Sequence, residues 1–174
     1  MKVSMSGMAL ETFIPMLESL IGWLEKGTAH AKHRDLDLVT ARLAPDMYTL
    51  AQQVQQACHH AIDGVARLTG TMPASTVSEA TSLAGLTAQI RTTLEQLRGV
   101  PAAAFDGAEA RDCSVPTPNG MVIAMNGLEF LRAWALPHFY FHVVIAYGIL
   151  RHRGVDLGKP DYLSQVGRFV RPPT

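Results

Sequence analysis

The sequence predicts an all-α fold, a four-helix bundle, and three observations carry that prediction. Four segments place apolar residues at alternating steps of three and four, the spacing of one helical face. Glycine and proline stand where those stripes end, at Gly70, Gly99–Val100–Pro101 and Gly154. The links between segments are mostly short, for which a bundle is the simplest packing solution. Residues 1–174 are read as one domain, since a chain of this length leaves no room for two ordinary ones. The hydrophobic set makes up 48% and charged residues 17%, a globular composition.

The first helix is expected from about Thr12 to Ala31, with Phe13, Met16, Leu17, Leu20, Trp23 and Leu24 on one face. Pro15 falls in its first turn, where amide hydrogens have no intrahelical partner. The second helix is expected to open near Pro45, with Asp46 at the positive end of the helix dipole. Its stripe runs through Leu43, Met47, Leu50, Val54, Ala57, Cys58, Ala61, Val65 and Leu68 to a stop at Gly70 and Pro73. The third spans about Ser82 to Arg98, capped by Thr81 or Ser82, with Leu83, Leu86, Ile90, Leu94 and Leu97 inward.

Between helices three and four the pattern changes. Runs Arg111–Thr117 and Met121–Met125 flank Pro118–Asn119–Gly120, and Asn-Gly between short extended runs signals a hairpin in which both turn residues tolerate positive φ. Pro116 and Pro118 confine any pairing to an edge. Helix four then runs from about Leu128 to Arg153, and Val155–Thr174 is expected to lie on the surface as a tail.

Charge and cysteine usage exclude several functions. Fifteen basic residues balance fifteen acidic ones, so the chain lacks the clustered basic surface that nucleic acid or an anionic membrane requires. Cys58 and Cys113 form neither a disulfide framework nor a thiolate metal motif. Cys58 sits on an apolar face and reads as an inert buried thiol; Cys113, in the loop, is expected to be more exposed. The N-terminus lacks the pattern of a signal peptide. Trp134–Leu150 is apolar but short for a membrane span and interrupted by ionisable groups. The expected location is the cytoplasm. Phosphate-loop, dinucleotide and nucleophile-elbow motifs are absent.

The chemistry concentrates on helix four. His138 and His142 are one turn apart, within about 40° of each other, on the side of Ile145 and Ile149. That is the spacing by which one helix offers two imidazoles to one metal ion. Phe139, Phe141, Val143 and Val144 supply an apolar surround that favours neutral imidazole. The bland alternative is two core histidines bonded to backbone or side-chain partners. A metal needs a third ligand, and the candidates are His59, His60, Gln53, Gln55 and His30, with His59 taken as the third member of the set. Measured from the stripe centre at Val54, His59 and His60 fall on the flanks of helix two, and Gln53 about 100° away. Glu129 is read as a first-turn acid or an orienting partner for a histidine. Tyr140, Val144 and Tyr147 oppose the histidine face, so helix four is either enclosed or paired with a second copy as a homodimer.

The run His138-Phe-Tyr-Phe-His142, with Val143–Leu150 and Arg151-His-Arg-Gly-Val155, resembles the last bundle helix of the DinB/YfiT-like superfamily. Ala41-Arg-Leu-Ala-Pro-Asp-Met47, Gln53-Val-Gln55, Leu136-Pro137 and Ala146-Tyr147 are similar to a branch known only as a domain of unknown function. The resemblance implies a DinB-like four-helix bundle with a small β-hairpin between helices three and four. It also implies a divalent metal (Zn, Ni or Fe) held by the helix-four pair and a helix-two histidine, at a position near Gln52–Gln56 where this chain has glutamine. Active relatives are metal-dependent, thiol-linked transferases and isomerases. Two functions are therefore expected: a metal-binding enzyme acting on a small molecule, or a non-catalytic small-molecule-binding or interaction bundle that has lost the complete ligand set.

Overall fold

The structure, a computed structural model, describes residues 4–32, 34, 36–71 and 80–171. His33, Pro73 and the terminal Pro172 and Pro173 lie outside that set. The long elements are α1 (Met5–Ala31), α2 (Leu50–Thr69), α3 (Leu83–Arg98) and α4 (Gly127–His152), with a hairpin of β1 (Val115–Pro116) and β2 (Val122–Ile123) ahead of α4. A short α5 (Lys159–Tyr162) follows. In the bundle α1 packs on α3 and α4, and α2 packs on the same two. Helices α1 and α2 therefore occupy opposite corners, and the hairpin links the other two.

The first helix begins earlier than its stripe suggests. Ser4 caps it by accepting the Gly7 amide hydrogen, and buried Met5 and Ala9 extend the apolar face upstream. Pro15 therefore lies inside α1 rather than in its first turn. The second helix begins later, at Leu50, so Leu43, which is exposed, and Met47, which is half-buried, precede it rather than continue its stripe. Thr49 and Gln52 form a reciprocal capping box, which satisfies the first amides more completely than Pro45–Asp46 could, and those residues form a turn instead. Gly70 ends α2 in the left-handed conformation, φ 69°. Ser82 caps α3 as expected.

The hairpin pairs Val115 with Ile123 and Pro116 with Val122 in antiparallel register. Of the two turn residues Asn119 and Gly120, Gly120 alone takes positive φ, at 81°. The expected hairpin therefore forms with the glycine alone using that tolerance. Asn119 instead uses its side chain, accepting the Thr117 hydroxyl and the Met121 amide.

Helix α4 opens with a second capping box, Asn126 with Glu129, which assigns the glutamate to the helix terminus. It contains one π-helical turn, Leu131–Ala135, in which the Leu136 amide reaches back to the Leu131 carbonyl. Helix α4 is 26 residues long, and its apolar 18-residue window has mean hydropathy 1.3, so by length and composition alone it is apolar enough to cross a membrane and is longer than the stretch read from sequence. In the fold it packs between α1 and α2. Phe13 of α1 meets Phe139 edge-on at 4.9 Å, and Trp23 meets Tyr147 at 5.3 Å. The tail is not merely superficial: Val155 and Leu157 are buried, and Trp23 donates its indole hydrogen to the Asp161 carbonyl at 3.0 Å.

Candidate functional site

The site lies where α2 faces α4. Helix α2 has two buried faces. One carries Val54, Cys58 and Val65; Cys58 bonds the Thr93 side chain of α3, and burial pushes its thiol up to about 11. The other face carries Gln53, Ala57, His60 and Gly64 at steps of four, three and four, a stripe of small and polar residues turned toward α4. On that face Gln53 and His60 are only about 20° apart.

Two groups of α4 meet this stripe. His142, buried, has its Nδ1 2.7 Å from the Gln53 Oε1. His138, one turn earlier, donates from Nδ1 to the Trp134 carbonyl at 2.8 Å, since a carbonyl only accepts; its Nε2 therefore keeps the lone pair. The His60 ring lies 5.0 Å from that of His138 and 5.2 Å from that of His142. Trp134 packs on His138 at 4.4 Å, Phe141 meets His142 edge-on at 5.2 Å, and Tyr48 lies parallel to His142 at 6.2 Å. Tyr48 and Phe141 are exposed, so the cluster has an aromatic rim open to solvent.

Burial keeps His60 and His142 neutral. Burial, then the neighbouring His142, His138 and His59, lowers His60 to about 3. Burial, with His138 and His59, lowers His142 to about 4. Each group is thus an uncharged imidazole at neutral pH, the form that ligates metals and accepts protons.

The remaining candidates fall elsewhere. His59 is exposed, about 120° round α2 from Gln53, with its ring 5.3 Å from that of His60. His30 takes a hydrogen bond from Arg34 Nη1 at the end of α1. Gln55 is half-buried on α2. Cys113 is buried, against expectation, because its thiol turns in to the Arg67 carbonyl at 3.6 Å beneath the hairpin. Among the described residues, no three His, Cys, Asp or Glu side chains form a ready-made metal-binding group. Sequence reading underweighted His60 and Gln53 because it assigned α2 a single inward face; the small-residue run Ala57, Ala61, Gly64 was the available signal for a second.

Fold and site together define a DinB-like bundle with a histidine cluster between its second and fourth long helices. The chain belongs to the DUF1993 family, a domain of unknown function, whose model matches residues 5–163. It is also similar to a solved DinB family member protein from Shewanella denitrificans, at 36% identity and a TM-score of 0.84. That match covers 97% of this chain and 94% of the other. No curated protein matches it.

Proposed function

We propose that the chain is a metal-dependent enzyme of the DinB-like class, with His60, His138 and His142 as the ligands of one divalent ion such as Zn, Ni or Fe. The observation that carries this reading is the ring spacing. Two imidazoles bound to one tetrahedral ion at about 2.0–2.1 Å per bond have ring centres about 5 Å apart, and His60 stands 5.0 and 5.2 Å from its two neighbours. The residues fit a metal in kind and in the distance of His60 from its two neighbours, while the His60 and His142 rings stack at 8° and the donors do not converge as a finished ligand group. When bound, the ion supplies Lewis-acid polarisation of a substrate atom. The chain's own residues do the rest. The Trp134 carbonyl orients His138, burial keeps His60 and His142 unprotonated, and the exposed faces of Tyr48 and Phe141 offer an apolar landing for a small molecule. His59 remains a rim residue in this reading.

The second reading, a non-catalytic small-molecule-binding bundle, is favoured by the already paired His142 and by the lack of a ready ligand group among the described residues. Metal titration of tag-free protein separates the two. The first reading expects one Zn or Ni per chain, lost in His60→Ala, His138→Ala and His142→Ala and kept in His59→Ala. No uptake by the unaltered protein ends it in favour of the second.

A further inference from the structure

Gln53 is the one buried side chain at the cluster to which neither reading gives a task of its own. It is 1% exposed, in the first turn of α2. A primary amide has an acceptor end and a donor end, and burial makes both ends matter. Here one end lies 2.7 Å from His142 Nδ1, and the other lies 3.5 Å from the backbone carbonyl oxygen of Tyr48.

Which end goes where is decided by Tyr48. Its carbonyl can only accept, so the NH2 end of Gln53 belongs there; the reversed amide would set two acceptor oxygens against each other. The Gln53 oxygen is then the group that faces His142, and it too can only accept. His142 Nδ1 must therefore donate. A neutral imidazole carries a single ring hydrogen, so a hydrogen on Nδ1 leaves Nε2 bare.

We propose that Gln53 is a positioning residue that fixes His142 as the Nδ1–H tautomer, with the Tyr48 backbone carbonyl setting the orientation of the amide. Nε2 is thereby the only lone-pair nitrogen of that ring, as the Trp134 carbonyl makes it for His138. The backbone of the loop before α2 thus dictates, through one amide, which nitrogen of an α4 histidine can bind a metal or accept a proton. The consequence for metal affinity rests on the ligand reading above; the tautomer does not.

The test is nitrogen-15 NMR of histidine-labelled, metal-free protein, in which the two ring nitrogens of His142 report separately which one bears hydrogen. The unaltered protein is expected to show Nδ1–H and a bare Nε2. Gln53→Leu removes the acceptor and is expected to shift His142 toward the Nε2–H form and to weaken Zn binding about 10- to 100-fold, the usual cost of losing an orienting partner. An Nε2–H His142 in the unaltered protein, or an unchanged tautomer in Gln53→Leu, overturns the proposal. Should Gln53→Leu not fold, the tautomer of the unaltered protein still decides it. Nδ1–H in a protein that takes up no metal sinks the ligand reading and leaves the role of Gln53 standing.

Discussion

Gly64 of α2 lies so close to Ala135 of α4 that a Cβ on the glycine would stand 3.3 Å from the alanine Cβ. The same added atom would stand 3.4 Å from the Phe13 ring. The missing side chain lets α2 approach α4 one turn beyond His60, and that approach brings the His60 ring within reach of His138. A bulkier residue acts as a wedge. Gly64→Val is expected to cost about 1–3 kcal/mol of stability and to weaken Zn uptake even though no ligand has changed. Urea denaturation and metal titration of the same variant check both parts; unchanged values for both refute the wedge.

Removing a ring from the buried pair has a different cost. His142→Ala leaves the Gln53 oxygen buried without its partner, an expected loss of about 1–3 kcal/mol. The exposed His59→Ala is expected to lie within about 0.5 kcal/mol of the unaltered protein. Equal denaturation midpoints for the two variants would contradict the pairing of His142 with Gln53.

The neutral imidazoles also set a pH dependence. His60 and His142 titrate at about 3 and about 4 in the folded chain, against 6.5 ordinarily. Between those values the unfolded chain takes up protons that the folded chain refuses, so stability falls as the pH drops below about 6.5. Metal-free protein is expected to show a lower urea midpoint at about pH 5 than at about pH 7.5. The gap should narrow in a His60→Ala/His142→Ala double variant. A difference of the same size in that variant would assign the effect to other groups.

Both thiols are expected to be inert in the native protein. Burial holds Cys58 at about 11 and raises Cys113 as well, so neither presents a thiolate at neutral pH. A thiol-reactive chromophore should titrate two cysteines after denaturation and none promptly before it. Rapid native labelling of either would show that its packing opens.

Much of the fold was legible in the sequence. The stripes located all four long helices, and Ser82, Gly70 and Gly154 marked ends that the structure keeps. The starts of α1 and α2 differ from the expected ones because Ser4 and Thr49, whose side chains satisfy the first amides directly, set them rather than the apolar stripe or Pro45. For the site, the His138–His142 spacing was readable because both residues share one helix. The partner across the groove was not. His59 and His60 are adjacent in sequence and 100° apart on the helix, and choosing between them requires knowing that α2 is buried on two sides. Packing between helices decides that, through Gly64 and Ala57, and no periodicity within α2 alone reveals which neighbour claims which face. The alliance of Gln53 with His142 spans 89 positions and has no local signature at all.

The π-helical turn at Leu131–Ala135 uncouples two demands on a single rod. Upstream, Gly127 must sit against the Ala108 carbonyl, where any side chain would collide; downstream, His142 must meet Gln53. One residue more or fewer in a helix rotates everything beyond it by about 100°, so the wider turn acts as a phase adjuster between these two fixed bearings. Tightening it to a regular α-turn with all five residues kept would leave every amino acid of the cluster present and yet force a choice, with either the hairpin end or the histidine end facing the wrong way. In this chain the wide turn at 131–135 therefore sets the bearing of the histidines, and a one-residue deletion inside it should be better tolerated than the same deletion farther along α4.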